Sequence, residues 1–241
     1  MTPENIKPYN KTDNKKKQVE EMFDNISENY DFLNRLLSLK IDVYWRNQLE
    51  KRVVALNPGK ILDVATGTAD LAIEHAKKTN ALVTGLDLSQ RMLDYGQIKI
   101  NKQGLKERIK LIKGEAENLP FHDEEFDVVT ASFGVRNFEN LEKGISEMQR
   151  VLKKGGKLFI LEFSKPTGIF APFFMLYFKY ILPTIGKIIS GDSKAYTYLP
   201  DSVSKMPYGK EMEEILLKNG FKQSTSKTFT FGVVSIYEGT K

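Results

Sequence analysis

The chain has 241 residues, 41% hydrophobic and 28% charged, with no cysteine and only two histidines, His75 and His122. That composition suits one large α/β domain with a buried core. It excludes disulfides, thiolate metal sites, a cysteine nucleophile and a histidine-rich metal centre, so no metal is expected, and it fits a reducing cytoplasm. The net charge of +5 is unevenly placed: residues 61–164 are near neutral, whereas lysines outnumber acids over 165–241 and again in KTDNKKK near the N-terminus. Such an excess is solvated surface unless it meets nucleic acid or an anionic membrane.

Residues 1–17 are polar, lack the apolar core of a signal peptide, and are expected to form a flexible tail. Over 18–56, Val19, Met22, Phe23 and Ile26, then Leu33, Leu36 and Leu37, then Val43, Leu49 and Val53 recur at helical spacing. They predict a cap of short amphipathic helices, ended by Asn57-Pro58-Gly59. Five short apolar runs follow: KILDV, ALVTGLD, IKLIKG, FDVVTASF and KLFILEF. Helices or turns separate them, including 89–103 and 140–152, and this alternation predicts a parallel sheet covered on both faces. Gly155 in KKGGK is expected to cap the second of these helices in the left-handed conformation.

After Glu162 the alternation stops. Residues 169–189 are apolar and aromatic, but Pro172, Lys179, Pro183 and Lys187 interrupt them, so a membrane span is not expected. Residues 165–206 read as an apolar helical lid. A helix over 208–218 and two strand-like runs, FKQSTSKTF and FGVVSIYEG, close the chain; the runs can pair as a hairpin through Thr230. The whole of 1–241 thus reads as one domain whose core is 57–164 together with 207–241.

The stretch ILDVATGTAD, residues 61–70, is a strand, tight turn and helix start of the kind that holds a nucleotide cofactor. A dinucleotide fingerprint wants glycine where this loop has Ala65 and Asp70. An aspartate in the first helical turn repels a pyrophosphate and favours a neutral or cationic ligand. S-adenosylmethionine, with a sulfonium and no phosphate, fits better, and Asp63, Ala65, Gly67 and Ala69 follow that cofactor's acid-and-small-residue pattern. Asp87, twenty residues beyond Gly67, is placed to accept from ribose hydroxyls. Gly114-Glu115-Ala116-Glu117 before Leu119-Pro120-Phe121 is placed to flank the adenine.

With these motifs the chain resembles the class I methyltransferases, which implies a Rossmann-like fold with a mostly parallel seven-stranded sheet and an antiparallel C-terminal hairpin. YDFLNRLLSLKIDVYWR (30–46), RVLKKGGKLFILEFSKP (150–166), SFGVRN (132–137) and Tyr196-x-Tyr198-Leu199 narrow the resemblance to the menaquinone/ubiquinone-biosynthesis C-methyltransferases. It spans nearly the whole chain beyond the first fifteen or so residues. Asp42 stands where that family usually has histidine, and Lys154 where it has proline. The resemblance implies S-adenosylmethionine contacts from Thr68, Asp87, Glu115, Ala116 and Ser132, and methylation of a ring carbon of a polyprenylated quinol. Demethylmenaquinol is the first choice, and the benzoquinol of ubiquinone biosynthesis the alternative.

For that chemistry Arg136 is the leading candidate to stabilise the quinol oxygen, with Asp42 as a base or water-orienting group and Tyr196 and Tyr198 lining the pocket. His75 and His122 are expected to be structural or exposed. The lid and its lysines suggest peripheral contact with the inner membrane surface by an otherwise cytoplasmic protein. Two other readings are a methyltransferase acting on RNA and a non-catalytic cofactor-binding scaffold of a quinone-synthesis complex. The basic regions adjoin an apolar segment rather than interleaved aromatics, so no nucleic-acid partner is expected. The sequence leaves oligomeric state open, a homo-oligomer included.

Overall fold

The computed structural model describes residues 6–9, 12–166, 171–177, 180 and 193–241. The five apolar runs are strands β1 (Lys60–Val64), β2 (Leu82–Asp87), β3 (Ile109–Lys113), β4 (Phe126–Ser132) and β5 (Leu152–Phe163). With β6 (Gln223–Phe229) and β7 (Val234–Thr240) they form one sheet in the order β3-β2-β1-β4-β5-β7-β6. The first five strands are mutually parallel, and β7 runs antiparallel to both β5 and β6. The predicted hairpin is therefore present, turning at Thr230 and Phe231, both left-handed. Strand order reverses between β1 and β4, and open α/β sheets bind ligands at such a switch point, beyond the C-terminal ends of the strands.

Helices cover both faces, which is why the central strands are continuous apolar runs rather than alternating ones. On one face α3 (Ile41–Ala55) and α4 (Asp70–Lys78) pack Trp45, Leu49, Val53, Leu71 and Ile73 against Ile61, Val83, Val128 and Phe159. On the other, α6 (Leu141–Val151) and α9 (Lys210–Lys218) pack Ile145, Met148, Met212 and Leu216 against Leu62, Val129 and Leu158. α5 (Gln90–Lys102) starts at Ser89, whose side chain accepts from Met92 N, and α6 starts at Asn140, which accepts from Lys143 N; each supplies one of the partners that helix N-termini lack.

The N-terminal helices α1 (Lys15–Ile26) and α2 (Tyr30–Leu37) form a third cluster with α5 and with α8 (Ser193–Lys205), through Val19, Met22, Leu33, Leu37, Met92 and Tyr198. The flexible tail expected through residue 17 is corrected here. Tyr9 and Lys15 are buried, and the Lys15 ammonium donates to the carbonyls of Arg136 (3.1 Å) and Phe138 (2.8 Å). Gly155 is also corrected: α6 ends at Val151 and passes directly into β5, where Gly155 is left-handed (φ +78°) and its N–H donates to Lys241 O, so it makes a turn within β5 and not a helix cap. Of the segment expected as a lid, α7 (Ala171–Leu176) and α8 are described, and most of 167–192 lies outside the described residues. Among the described residues no helix is long and apolar enough to cross a membrane.

Arg150 stitches α6 to the loop that follows β3. Its guanidinium donates to Glu147, to Asp123 and to the carbonyls of Leu119 and Phe121, all at 2.7–3.0 Å. Arg150→Ala leaves two carbonyls and two carboxylates without these donors and should cost about 2 kcal/mol in urea unfolding. A loss too small to measure would mean that the loop is held by its apolar contacts alone.

Candidate active site

The loop after β1 is unusually wound. Ala65 (φ +56°), Gly67 (φ +57°) and Ala69 (φ +63°) are all left-handed, a conformation that costs an L-residue roughly 1–2 kcal/mol. Alanine is the smallest side chain that pays this cost, and hydrogen bonds offset it. Thr66 N donates to Leu86 O (3.0 Å), Thr66 Oγ1 to Asp63 Oδ2 (2.6 Å), and Gly67 N to Asp87 Oδ2 (2.7 Å). Gly134, in SFGVRN, lies so close that an added Cβ would stand 2.5 Å from that of Ala65. The loop after β4 therefore packs its bare backbone against the loop after β1.

Two cavities open at this switch point and share Tyr30, Ala65, Gly67, Ser132 and Phe133 as a common wall. The first, about 80 Å³, is lined by Asp87, Glu115, Ala116 and Ser132, with apolar sides from Leu86, Met92 and Phe138, and is roofed by Lys16, Val19 and Phe23 of α1. The second, about 320 Å³, takes in Asp42, Asp63, Thr68 and Arg136 and an aromatic cluster of Trp45, Phe133 and Phe163.

Asp87 ends β2 with its carboxylate buried and turned to the first cavity. Burial pushes its carboxyl up to about 6, against the N–H groups of Ser89 and Gly67, which favour the charged form. Ser132 Oγ is buried with no hydrogen-bond partner among the described residues, a cost that a ligand in the cavity would remove. A nucleoside with a hydroxyl-bearing sugar and no phosphate fits this wall, and S-adenosylmethionine is such a ligand. Glu115 borders the same cavity but is ion-paired with Lys16 of α1 at 2.8 Å, so it also closes the roof.

The structure gives Asp63, Thr68 and Asp70 partners within the protein. Asp63 is fully buried below the loop and accepts from Thr66 and Thr130. Thr68 Oγ1 donates to Asp31 Oδ1 (2.6 Å) and accepts from Lys99 Nζ (3.1 Å). Asp70 pairs with Lys99, Arg35 and Arg46. Burial opposes its charge, but these cations outweigh burial and hold its carboxyl below the ordinary range. Asp70 therefore ties α2, α3 and α5 to the start of α4 instead of offering a bare charge to a ligand.

Of the residues expected to do chemistry, Arg136 and Asp42 line the second cavity, whereas Tyr198 lines neither and packs among the cap helices instead. Arg136 is buried and ion-paired to Glu162 (2.8 Å), donates to Phe133 O, and lies 5.5 Å from the Phe163 ring centroid. Asp42 stands in the first turn of α3 with its two oxygens taken by Ser38 (2.6 Å) and Arg46. Tyr198 is buried on α8, its hydroxyl has no hydrogen-bond partner among the described residues, and burial holds its phenol strongly protonated. The Tyr196 side chain lies outside the described residues. Glu162, Tyr30, Asp31 and Lys99 were not singled out from the sequence. For Glu162 a signal existed: it is the one acid in the apolar run KLFILEF, and a charge in a central strand needs a partner.

The model of the ubiE/COQ5 methyltransferase family matches residues 11–241. The chain belongs to that family. It is 43% identical over 241 residues to a demethylmenaquinone methyltransferase of Bacteroides fragilis, covering 99% of this chain and 98% of that one. It is 41% identical over 230 residues to the ubiquinone/menaquinone biosynthesis C-methyltransferase UbiE of Geotalea daltonii, covering 94% and 97%. Among solved structures, the [4+2]-cyclase SpnF superposes with a TM-score of 0.65 at 21% identity, over 88% of this chain and 75% of that one. A cyclase on the same scaffold shows that the fold alone does not fix the reaction. Family membership does: the chain is an S-adenosylmethionine-dependent methyltransferase.

A ribose hydroxyl placed against Asp87 would be held more tightly by its carboxylate than by its acid, so cofactor affinity in calorimetric titrations should weaken as pH falls through about 6 and stay flat in Asp87→Asn. The unliganded protein has the opposite dependence. Its folded state holds the Asp87 proton more tightly than the unfolded chain, so stability falls by up to about 3 kcal/mol as pH rises from about 4 to about 6.

Proposed function

We propose that this chain methylates a ring carbon of a polyprenylated quinol, demethylmenaquinol in the first place. The observation that carries this reading is the contiguity of the two cavities. The smaller one, walled by Asp87 and Ser132, meets the larger aromatic one at Gly67 and Ser132, where a methyl donor and a planar ring would come together. When bound, the cofactor supplies an electrophilic methyl group on its sulfonium. Everything else falls to the chain.

Ring carbon is a poor nucleophile until the neighbouring hydroxyl loses its proton, so the site has to favour a phenolate and hold the carbon in line. Alignment supplies roughly 7–11 kcal/mol of such a barrier, and acid–base assistance typically ~10²–10⁴-fold. Trp45, Phe133 and Phe163 give a ring its stacking wall. Arg136 is the cation nearest this purpose, held in place by Glu162 and by Phe133 O. The Tyr198 phenol, held protonated by burial and outside both cavity walls, is no base for this step. Asp42, with Ser38 and Arg46 on its oxygens, holds the corner between α2 and α3, and its part in the reaction is to place Arg46 beside the cavity.

The mouth of the larger cavity has an apolar rim. Leu39 (76% exposed) and Ile41 line it at the α2–α3 corner, and Phe231 (65% exposed) stands beside Thr230 on the β6–β7 turn. We read this rim, with the lysine excess of the C-terminal third, as peripheral contact with the cytoplasmic membrane face, where a polyprenylated substrate resides.

Methyl transfer from labelled S-adenosylmethionine should occur with short-chain demethylmenaquinol faster than with the matching benzoquinol. The reverse order would assign ubiquinone biosynthesis, and transfer to neither would leave the scaffold reading. Arg136→Lys, which keeps a cation beside Glu162, should lower kcat at least tenfold with little change in cofactor affinity. Vesicles containing anionic lipid should co-sediment the protein at low salt and release it as salt rises; a protein that ignores them would refute the membrane contact.

A further inference from the structure

Beneath the cofactor loop runs a chain of buried polar groups of which only the last, Asp63, reaches a cavity wall. Glu50 of α3, His75 of α4, Thr130 of β4 and Asp63 of β1 are each no more than 1% exposed. His75 Nδ1 stands 2.5 Å from Glu50 Oε1, and its Nε2 stands 3.1 Å from Thr130 Oγ1. Thr130 Oγ1 in turn donates to Asp63 Oδ1 at 2.7 Å, and Thr66 Oγ1 donates to Asp63 Oδ2 at 2.6 Å. The Glu50 oxygens make no hydrogen bond to any other group among the described residues.

Proton bookkeeping fixes the order of this chain. A hydroxyl has one hydrogen, and that of Thr130 goes to Asp63, so Thr130 meets His75 as an acceptor and Nε2 carries a proton. On the other side of the ring two lone pairs 2.5 Å apart would repel, so one proton also lies between Nδ1 and Glu50. Whether it resides on the imidazole or on the carboxyl, Nε2 remains the donor. With Glu50 absent, the ring is free to carry its hydrogen on Nδ1 and accept from Thr130 at Nε2, which would turn the Thr130 hydrogen away from Asp63.

We infer that Glu50 and His75 are a positioning pair for cofactor binding, which fix a proton on His75 Nε2 so that Thr130 and Thr66 together orient Asp63 under the loop. Thr66 lies between left-handed Ala65 and Gly67, and such conformations persist only where the surroundings over-determine them. The pair acts at a distance, through Asp63, on the backbone that borders both cavities.

The test compares Glu50→Gln with Glu50→Leu. A glutamine amide donates to Nδ1 and preserves the order, whereas leucine does not. Glu50→Gln should bind S-adenosylmethionine within about threefold of the native protein by calorimetry, and Glu50→Leu about tenfold more weakly, the loss of one well-placed hydrogen bond. With only two histidines in the chain, ¹⁵N-histidine spectra of the unliganded protein separate His75 from exposed His122. They should show His75 Nε2 protonated in the native protein and in Glu50→Gln. Should Glu50→Leu fail to fold, Thr130→Val cuts the same chain at the next link and should weaken binding to the same degree. Equal affinities for glutamine and leucine variants, native affinity in Thr130→Val, or a bare Nε2 would each overturn the assignment.

Discussion

Ala65, Gly67 and Ala69 place three left-handed residues within five, and in doing so turn the backbone between β1 and α4 away from the sheet and toward two cavities at once. The surrounding structure serves to keep that turn. Asp63 holds it from below, Leu86 O and Asp87 from the side, and Gly134 lets the next loop lie directly against it. Because the same few atoms border both cavities, a displacement of the turn reshapes both together, and with them the places proposed for donor and acceptor. Tolerance to small shifts is low in an alignment-driven reaction.

A second organising feature is the charge network that fastens the helical cap to the core. Asp31, Asp70 and Lys99 meet at Thr68, with Arg35, Arg46 and Asp42 extending the cluster along α2 and α3. Arg136 with Glu162 makes a separate, more deeply buried pair. Pairs of the first kind, partly exposed, add little to stability on their own. A buried pair is costly to break, since either partner alone would be an unpaired charge away from water. The first network therefore sets orientation, and the second fixes a charge at the wall of the larger cavity.

Much of this was legible in the sequence, because local pattern carries it. The strands are continuous runs of branched and apolar residues, the hairpin has its turn at Thr230, and Asp87 follows Gly67 at the interval that a strand–loop–helix–strand unit imposes. What escaped is what depends on distant partners. Lys15 reads as one of five lysines in a polar tail, and only carbonyls more than 120 residues away make it a buried residue. Gly155 was correctly read as left-handed, but the partner of its N–H is Lys241, at the far end of the chain, and that pairing makes it part of a strand. His75 has the spacing of a core residue, and nothing local announces Glu50 on one side of its ring and Thr130 on the other.

The position of α1 has a kinetic meaning. Its side chains roof the smaller cavity, and the seam that holds it down consists of Lys16 with Glu115, Glu20 with Lys113 and Asp24 with Ser89, besides the Lys15 ammonium. A nucleoside bound there would lie against α1, so the helix at the beginning of the chain would bear on residence time at a site built from its middle. Its ion pairs are partly exposed and weaken with ionic strength, which makes the rate of exchange, and turnover wherever release is the slow step, a property of the solution as much as of the fold.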